Sequence, residues 1–460
     1  MSLSAKEKLL KTTRALLTEH SSTFYFVGIG GVSTSSLALL LSHLGHTVRG
    51  SDREPSRYTE ALMKAGIPVT IGHSAEGVYG ADAVVYSHAV SDKNPEIRAA
   101  VASAIPVIAR SVLLGAIMLD YTDRVGVCGT HGKSTVTAML DTVMVAAGIR
   151  PTTLSGAALS TGSPLRIGDD RILLYEACEY KDSFLDFFPT VSVALNLEYD
   201  HADYFSSIDS LKQSFSSALS RASRTAIVNI DDGNLEDIIP TVKSKCITFG
   251  RGERADYVYR IQSFCERGYV FSIFKAEREI CTVSLTVPGA HNVVNATAAI
   301  VSAIELGIDP NIAARALTTF SGIERRLEYV GTRSSRPVYY DYAHHPTEIA
   351  ASVNALRMMT HGKITVVFKP HTFSRTAALW EDFIRSLSLA DHVILTDVYP
   401  AREEPIKGVS SRNLAEQIPC ALFSPDGEVA SVLDSSTEGA IVIMGAGNMD
   451  EIKNVILNRM

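Results

Sequence analysis

The chain has 460 residues, 46% of them hydrophobic, with 43 basic against 50 acidic side chains and a net charge of −7. At roughly 150 residues per domain, that length predicts about three domains, each burying its own core. No apolar run reaches the roughly 18 to 20 residues that span a bilayer, and Lys6, Glu7, Lys8, Lys11 and Arg14 interrupt the first leucines, so neither a membrane span nor a signal sequence is expected. No basic block gathers nucleic-acid phosphate, which excludes nucleic acid as a partner and leaves any anion to local sites. Cys128, Cys178, Cys246, Cys265, Cys281 and Cys420 are scattered without a CxxC pair or histidines at zinc spacing, the pattern of reduced thiols in a cytoplasmic protein.

From Thr23 to about Asp120, short apolar strands alternate with helical stretches: FYFVGIGG, SSLALLLSHLG, HTVRGSD and ADAVVYSHAV. That is the rhythm of a parallel, doubly wound sheet. Gly28-Ile29-Gly30-Gly31 follows the first strand and precedes a helix, with Ser51 and Asp52 after the next strand. Alone, this reads as a dinucleotide fingerprint that lacks its third glycine, and the pyrophosphate of a nucleotide sugar poses the same chemical problem. A second series opens at Arg124 with the strand RVGVCGT, which runs into Gly129-Thr130-His131-Gly132-Lys133-Ser134-Thr135 and a helix ending near Gly148. A phosphate loop needs that context: backbone N–H groups at a helix N-terminus face the anion, Lys133 reaches the outer phosphates, and the Ser134 hydroxyl ligates Mg²⁺. The usual first glycine is replaced by Val127, with Gly126 one place off. A glycine turn capping a buried helix explains the glycines but not the Gly-Lys-Ser-Thr order.

Two acidic clusters follow at strand ends, Glu176-Ala-Cys-Glu179 after RILLY and Asn196-Leu-Glu198-Tyr-Asp200-His201 after VSVAL. Ligands collect at the carboxyl ends of strands in α/β sheets, and a carboxylate with an imidazole there could hold Mg²⁺ beside phosphates. As isolated loop charges these residues would have no joint role. Between Cys246 and Pro288 the strands KCITFG, DYVYRIQSF, GYVFSIFK and ICTVSLTV lose their helices and predict an antiparallel patch, closed by helices over 292–306 and 311–320. A third βα series starts near Pro337 with VYYDYAHHP, KITVVFKP, HVILTDVYP and AIVIMGAGN.

The strings GTHGKST, YEACEYKDSFL, NLEYDHADYF, HNVVNATAA, ERRLEYVG, YYDYAHHPTEI and KPHTFSRT, in that order, resemble the motif set of the Mur ligases from the first strand to the last helix. Within that family, GIGG, HHPTE and PHTFSRT most resemble the branch that adds L-alanine to UDP-N-acetylmuramate. The resemblance implies an α/β chain of three domains. These are a Rossmann-like N-terminal domain for the UDP-sugar (1–122), a central P-loop ATPase-like mixed sheet for ATP (123–330) and a Rossmann-like C-terminal domain for the amino acid (331–460).

It implies, residue by residue, that Lys133 is the phosphate-loop lysine, that Ser134, Glu176 and His201 are metal residues, and that His291, Asn292 and Asn295 cradle the adenine. Arg326, with Arg325 beside it, would face the phosphates, and Asp341 would contact the nucleotide from the third domain. Tyr342, His344 and Arg375 would meet the amino acid. Gly28, Gly30, Gly31, Ser51, Asp52 and Ser87 would serve the UDP-sugar, with His88, Asn94, Pro95 and Glu96 lining its pocket. The implied cofactors are ATP and Mg²⁺, and the implied state is a monomer or weak homodimer. The sequence departs from the family at Ser33 and Thr34, which replace a Gly-Met, and at Thr372, where many alanine-adding members carry arginine. Where sister enzymes have a carbamylated lysine this chain has Ser216, so no carbamate is expected.

A nicotinamide dehydrogenase would explain the first 120 residues but not GTHGKST. A regulator with a degenerate site would have lost Glu176 or His201. Inside the family, the rival is a recycling ligase that adds a tripeptide to the same UDP-sugar.

Overall fold

The computed structural model describes residues 3–18, 21–88, 90–265, 268–401, 403–433, 439–447 and 449–458. The chain divides into two compact units, one of residues 1–197 and 212–248, the other of residues 198–211 and 249–460.

In the first unit, β1 (Thr23–Val27), β2 (Thr47–Asp52), β3 (Val69–Ile71), β4 (Ala83–Tyr86) and β5 (Val107–Ala109) pair in parallel in the order β3-β2-β1-β4-β5. Four of the five β1 side chains are buried, as expected of a parallel strand covered on both faces. The strand order reverses between β1 and β4, so the turn after β1 opens at a switch point, where such sheets bind ligands. The same unit holds β6 (Asp123–Cys128), β7 (Thr152–Leu154), β8 (Leu165–Arg166), β9 (Ile172–Glu176), β10 (Val191–Ala194) and β11 (Thr225–Asn229), in the order β11-β10-β6-β9-β7-β8. All are parallel to their neighbours except β8, which runs antiparallel to β7. The helix Lys133–Ala146 after β6 buries ten of its residues, so the loop before it has a rigid support.

The division between the units falls within β12 (Cys246–Gly250). In the second unit, Phe249 and Gly250 pair with Tyr257 and Val258 of β13 (Tyr257–Cys265) in parallel, not antiparallel as the sequence led us to expect. The error has a simple source: loss of intervening helices predicts hairpins, but residues 251–256 form a loop long enough to bring the chain back in the same direction. From β13 onward the antiparallel expectation holds, through β14 (Gly268–Lys275) and β15 (Arg278–Leu285). The end of β15 alternates buried with exposed residues, the mark of a strand with one wet face.

The last sheet contains β16 (Glu328–Arg333), β17 (Arg336–Asp341), β18 (Ile364–Phe368), β19 (His392–Leu395), β20 (Ala421–Phe423) and β21 (Ala440–Met444), in the order β16-β17-β21-β18-β19-β20. Only β16 is antiparallel, paired with β17, and Gly331 lies inside it. One face packs Val366 and Phe368 against Ile349, Val353 and Phe383; the other packs Val367 and Ile443 against Ile452 and Ile456. Among the described residues no helix is long and apolar enough to cross a membrane. Cys128, Cys178, Cys246, Cys281 and Cys420 are free thiols, and the side chain of Cys265 lies outside the described residues.

Candidate active site

The loop after β6 is built on two glycines with positive φ, Gly129 at 146° and Gly132 at 83°. Gly132 is the left-handed N-cap of the helix Lys133–Ala146, a conformation that a Cβ would strain. A Cβ at Gly129 would lie 3.0 Å from the Cβ of Leu195. Asn196 pins the loop from the end of β10: its Oδ1 accepts the His131 N–H at 2.8 Å and its Nδ2 donates to the His131 carbonyl at 3.1 Å. Lys133 Nζ donates to the Gly129 carbonyl, to the Thr130 carbonyl at 3.2 Å and to Glu179 Oε2 at 3.0 Å. Burial alone would lower the Lys133 pKa, but the Glu179 carboxylate outweighs it and the ammonium is held above its ordinary range. Thr135 is buried in the first turn of the helix.

Glu176, at the end of β9, accepts the Gly156 N–H and the Ser155 hydroxyl. A Cβ on Gly156 would stand 2.9 Å from Glu176 Oε2 and 3.1 Å from Ser134 Oγ, so the hydroxyl and carboxylate converge on one small space. Two oxygen donors beside a phosphate loop fit Mg²⁺, which keeps water and phosphate for the rest of its shell. Ser155 and Gly156 were not anticipated; their only sequence signal is a small-residue run after β7.

At the first turn, the N–H groups of Gly28 and Ile29 donate to the Ser51 carbonyl at 2.9 Å, and Asp52 Oδ2 accepts the Gly30 N–H at 2.7 Å. Gly28 has φ of 74°, whereas Gly31 caps the next helix in an extended conformation. The Thr34 departure is absorbed: its buried hydroxyl donates to the Gly28 carbonyl at 2.8 Å. Ser51 is fully buried, and its hydroxyl meets Glu96 Oε2 at 2.8 Å. Glu96 also accepts from Tyr25 OH at 2.7 Å and lies 2.8 Å from His73 Nδ1. This cluster supports the turn from beneath, with Asn94 capping the helix Pro95–Ala102 that carries Glu96. Ser87 follows β4, and burial lowers the pKa of His88 beside it.

The second unit gathers the remaining residues into two places. In the helix His291–Glu305, Asn292 Nδ2 donates to the Pro288 carbonyl at 2.7 Å and Asn295 Nδ2 to Asn292 Oδ1 at 3.1 Å. Gly289 is required before it, since φ is 90° and a Cβ would strike the His291 ring at 2.4 Å.

The other place centres on the end of β17. Tyr342 and His344 meet edge to face at 5.4 Å, and His344 lies 6.1 Å from His371. Arg375 Nη1 is 3.0 Å from His371 Nδ1, and its Nε and Nη2 each reach an oxygen of Asp200 at 3.0 Å. His201, next to Asp200, has a left-handed backbone with φ of 57°. Burial, opposed by the Glu348 carboxylate and reinforced by the Arg375 guanidinium, pushes His344 down to about 3, so its imidazole is neutral.

Arg326 Nη1 donates to Glu348 Oε1 at 3.2 Å and lies over the Tyr342 ring. Arg325 instead bonds Tyr340 OH at 2.6 Å and the Gly447 carbonyl at 2.8 Å. His345 and Glu348 form a capping box on the helix Pro346–Met359, and Glu198 Oε2 accepts from Thr347 Oγ1 at 2.6 Å. Ser134 and Glu176 thus belong to one unit and His201 to the other.

Asp341 accepts the Ala343 N–H at 2.8 Å, the Leu327 N–H at 3.2 Å and the Ser352 hydroxyl at 2.8 Å. Burial, only partly opposed by Arg326, pushes its carboxyl up to about 6. An unfolded aspartate titrates near about 3.9. The folded protein therefore holds this proton more tightly, and the stability gained is full below about pH 4 and lost as pH rises through about 6. Asp341→Asn should gain on the wild type in melting temperature between pH 4 and pH 7; a difference that does not change with pH would show that Asp341 is not the titrating group.

Three family profiles match the chain. They are described as the Mur ligase family catalytic domain (residues 23–122), the Mur ligase middle domain (127–303) and the Mur ligase glutamate ligase domain (325–449). The chain is 39% identical to a UDP-N-acetylmuramate–L-alanine ligase of Caldicellulosiruptor saccharolyticus, over 95% of this chain and 98% of that one. Its identity to the ligase of the same name from Agathobacter rectalis is 38%, over 95% and 97%. The crystal structure of a UDP-N-acetylmuramate–alanine ligase from Thermotoga maritima superposes with a TM-score of 0.81 at 27% identity, covering 95% of this chain and 98% of that one. A murein peptide ligase from Psychrobacter arcticus shares the fold with a TM-score of 0.74 at 23% identity, over 95% and 98%.

Proposed function

This chain belongs to the Mur ligase family, and from that premise we infer what its site residues do. It is an ATP-dependent ligase that joins L-alanine to the carboxylate of UDP-N-acetylmuramate in peptidoglycan synthesis. The observation that carries the ATP half is the phosphate loop, with Lys133 drawn over the loop carbonyls and Ser134 and Glu176 converging beside it. The muramyl carboxylate attacks the γ-phosphate, ADP leaves, and an acyl phosphate forms. The amine of alanine then attacks the acyl carbon, the C–O bond to phosphate breaks with its electron pair, and the amine sheds a proton.

The first step brings an anion onto a triphosphate, so its repulsion must be screened. Lys133 and Arg326 supply fixed positive charge; Ser134 and Glu176 would hold one Mg²⁺ and His201 would serve a second ion, and such ions would supply further charge neutralisation. His131, Gly129, Gly132 and Thr135 present the loop, and Asp341 with His291, Asn292 and Asn295 places the nucleoside. The glycine turn at Gly28, Gly30 and Gly31, with Asp52 and Ser87, receives the uridine diphosphate, while buried Ser51 holds that turn in place through its carbonyl. Tyr342, His344 and Arg375 hold the alanine and keep water from the acyl phosphate, since proximity and exclusion of water decide the second step. These roles fall on residues 1–122, 123–330 and 331–460 as three functional domains. We place the enzyme in the cytoplasm, as a monomer or weak homodimer.

Phosphate release from ATP with UDP-N-acetylmuramate, measured across a panel of amino acids and a tripeptide, tests the reading. Alanine should drive release fastest. Release driven only by the tripeptide would transfer the chain to the recycling branch. Calorimetry separates the substrates of the first turn: UDP-N-acetylmuramate should bind and NAD should not, and the reverse would undo the UDP-sugar assignment.

A further inference from the structure

Arg375 is the one basic residue of the short helix Phe373–Ala378, whose N-cap is Thr372. The pose of a single guanidinium therefore matters, and that pose is set from another segment of the chain. The Nε and Nη2 edge of Arg375 meets Asp200 Oδ1 and Oδ2, each at 3.0 Å, with the two side chains only 10% and 8% exposed. The same Oδ1 accepts the backbone N–H of His201 at 2.7 Å, and His201 has φ of 57°. We propose that Asp200 is the positioning residue of the amino-acid end of the site: one carboxylate orients Arg375 and fixes the backbone that carries His201. This rests on the reading of Arg375 as the partner of the alanine carboxylate.

A guanidinium has edges that each donate a pair of hydrogen bonds to a carboxylate. Asp200 takes the Nε/Nη2 edge, which turns the Nη1/Nη2 end toward His371, whose Nδ1 lies 3.0 Å from Nη1. An incoming α-carboxylate can use that end without disturbing the pair. Displacing Asp200 instead would be costly, since breaking a buried ion pair weakens an equilibrium by on the order of a hundredfold to a thousandfold. A free amino acid of about millimolar affinity has only about a thousandfold in total over the standard state. The pair therefore stays, and alanine binds beside it.

The left-handed conformation at His201 is one that residues other than glycine adopt at a cost. The bond from its N–H to Asp200 offsets that cost. Asp200 thereby ties the imidazole assigned to acyl-phosphate formation to the arginine assigned to alanine.

Asp200→Asn keeps an oxygen for the His201 N–H and removes the charge facing Arg375. We expect KM for alanine to rise tenfold or more while KM for ATP and UDP-N-acetylmuramate and the yield of borohydride-trapped acyl phosphate stay at wild-type values. Asp200→Ala, which loses both bonds, should raise KM for alanine and also lower the trapped yield. In an Arg375→Lys background, Asp200→Asn should add less than twofold. Should the asparagine variant fail to fold, Asp200→Ser is read in its place, with yields taken per folded molecule. An unchanged KM for alanine overturns the proposal, and so does a lowered one, which would make Asp200 a lid that competes with the substrate. Wild-type enzyme without alanine-dependent phosphate release, or Arg375→Ala with normal KM for alanine, would instead remove the reading beneath it.

Discussion

Lys133→Ala should slow ligation by on the order of a hundredfold to a thousandfold, the effect of losing one preorganised transition-state contact of about 2.7 to 4 kcal/mol. The UDP-sugar should bind nearly as before. The lysine lies at the start of the helix Lys133–Ala146, whereas the uridine diphosphate is assigned to the turn after β1. The same substitution also takes the ammonium from Glu179, whose side chain is 4% exposed, so part of any activity loss could come from a destabilised protein. Lys133→Ala with Glu179→Gln separates the two effects, because the neutral amide removes the buried charge. The double variant should regain melting temperature and remain as slow as the single one. Near-normal turnover in either variant, measured as phosphate release, would remove Lys133 from the phosphate-binding role.

The second large effect concerns the order of the two half-reactions. His201→Ala should abolish the acyl phosphate trapped by borohydride, because this imidazole is assigned to the side of the site where the muramyl carboxylate and the γ-phosphate react. His344→Ala should leave the trapped intermediate in place and slow its capture by alanine, since its neutral ring packs between Tyr342 and His371 beside Arg375. The bland alternative is that His201 only closes a turn on Asp200, in which case its removal lowers stability but not the yield per folded molecule. Wild-type trapping by folded His201→Ala protein would establish that alternative and leave Ser134 with Glu176 as the metal residues.

The parts of the fold that could be read from the sequence are those whose signals are local. Strands buried on both faces, such as FYFV and VSVA, announce themselves as apolar runs, and the glycines of GTHGKST mark positions where positive φ is needed. The three-residue strands β3, β5, β7 and β20 were missed because so short a run carries no periodicity, and β16 because half of its residues are polar or charged. The parallel end of β12 escaped for a different reason: strand direction depends on the path of a loop, which composition does not encode. At the candidate site, the placement of Lys133 and Ser134 at a helix start and of Glu176 at a strand end was legible from order and context, but their hydrogen-bond partners were not. Nothing in the spacing of 175 residues says that Arg375 closes on Asp200, or that Gly156 leaves room for Ser134 to face Glu176. Thr34 shows the converse, a departure from pattern that one hydroxyl repairs locally.

Glu348 concentrates several of these demands on one position. Its carboxylate accepts the backbone N–H of His344 at 3.0 Å and of His345 at 3.3 Å, and it also takes Arg326 Nη1 at 3.2 Å. Glutamine could close the cap but would surrender the charge opposite Arg326, and aspartate would keep the charge but fall one methylene short of the cap. No single replacement serves both ends, so the usual neutral exchanges are closed to this residue. A growth-based mutational scan would accordingly score Glu348 as intolerant, and a mapmaker of essential positions would colour it like an active-site residue. What is frozen there is the geometry of a helix end and its arginine, a constraint on evolutionary drift that arises from architecture.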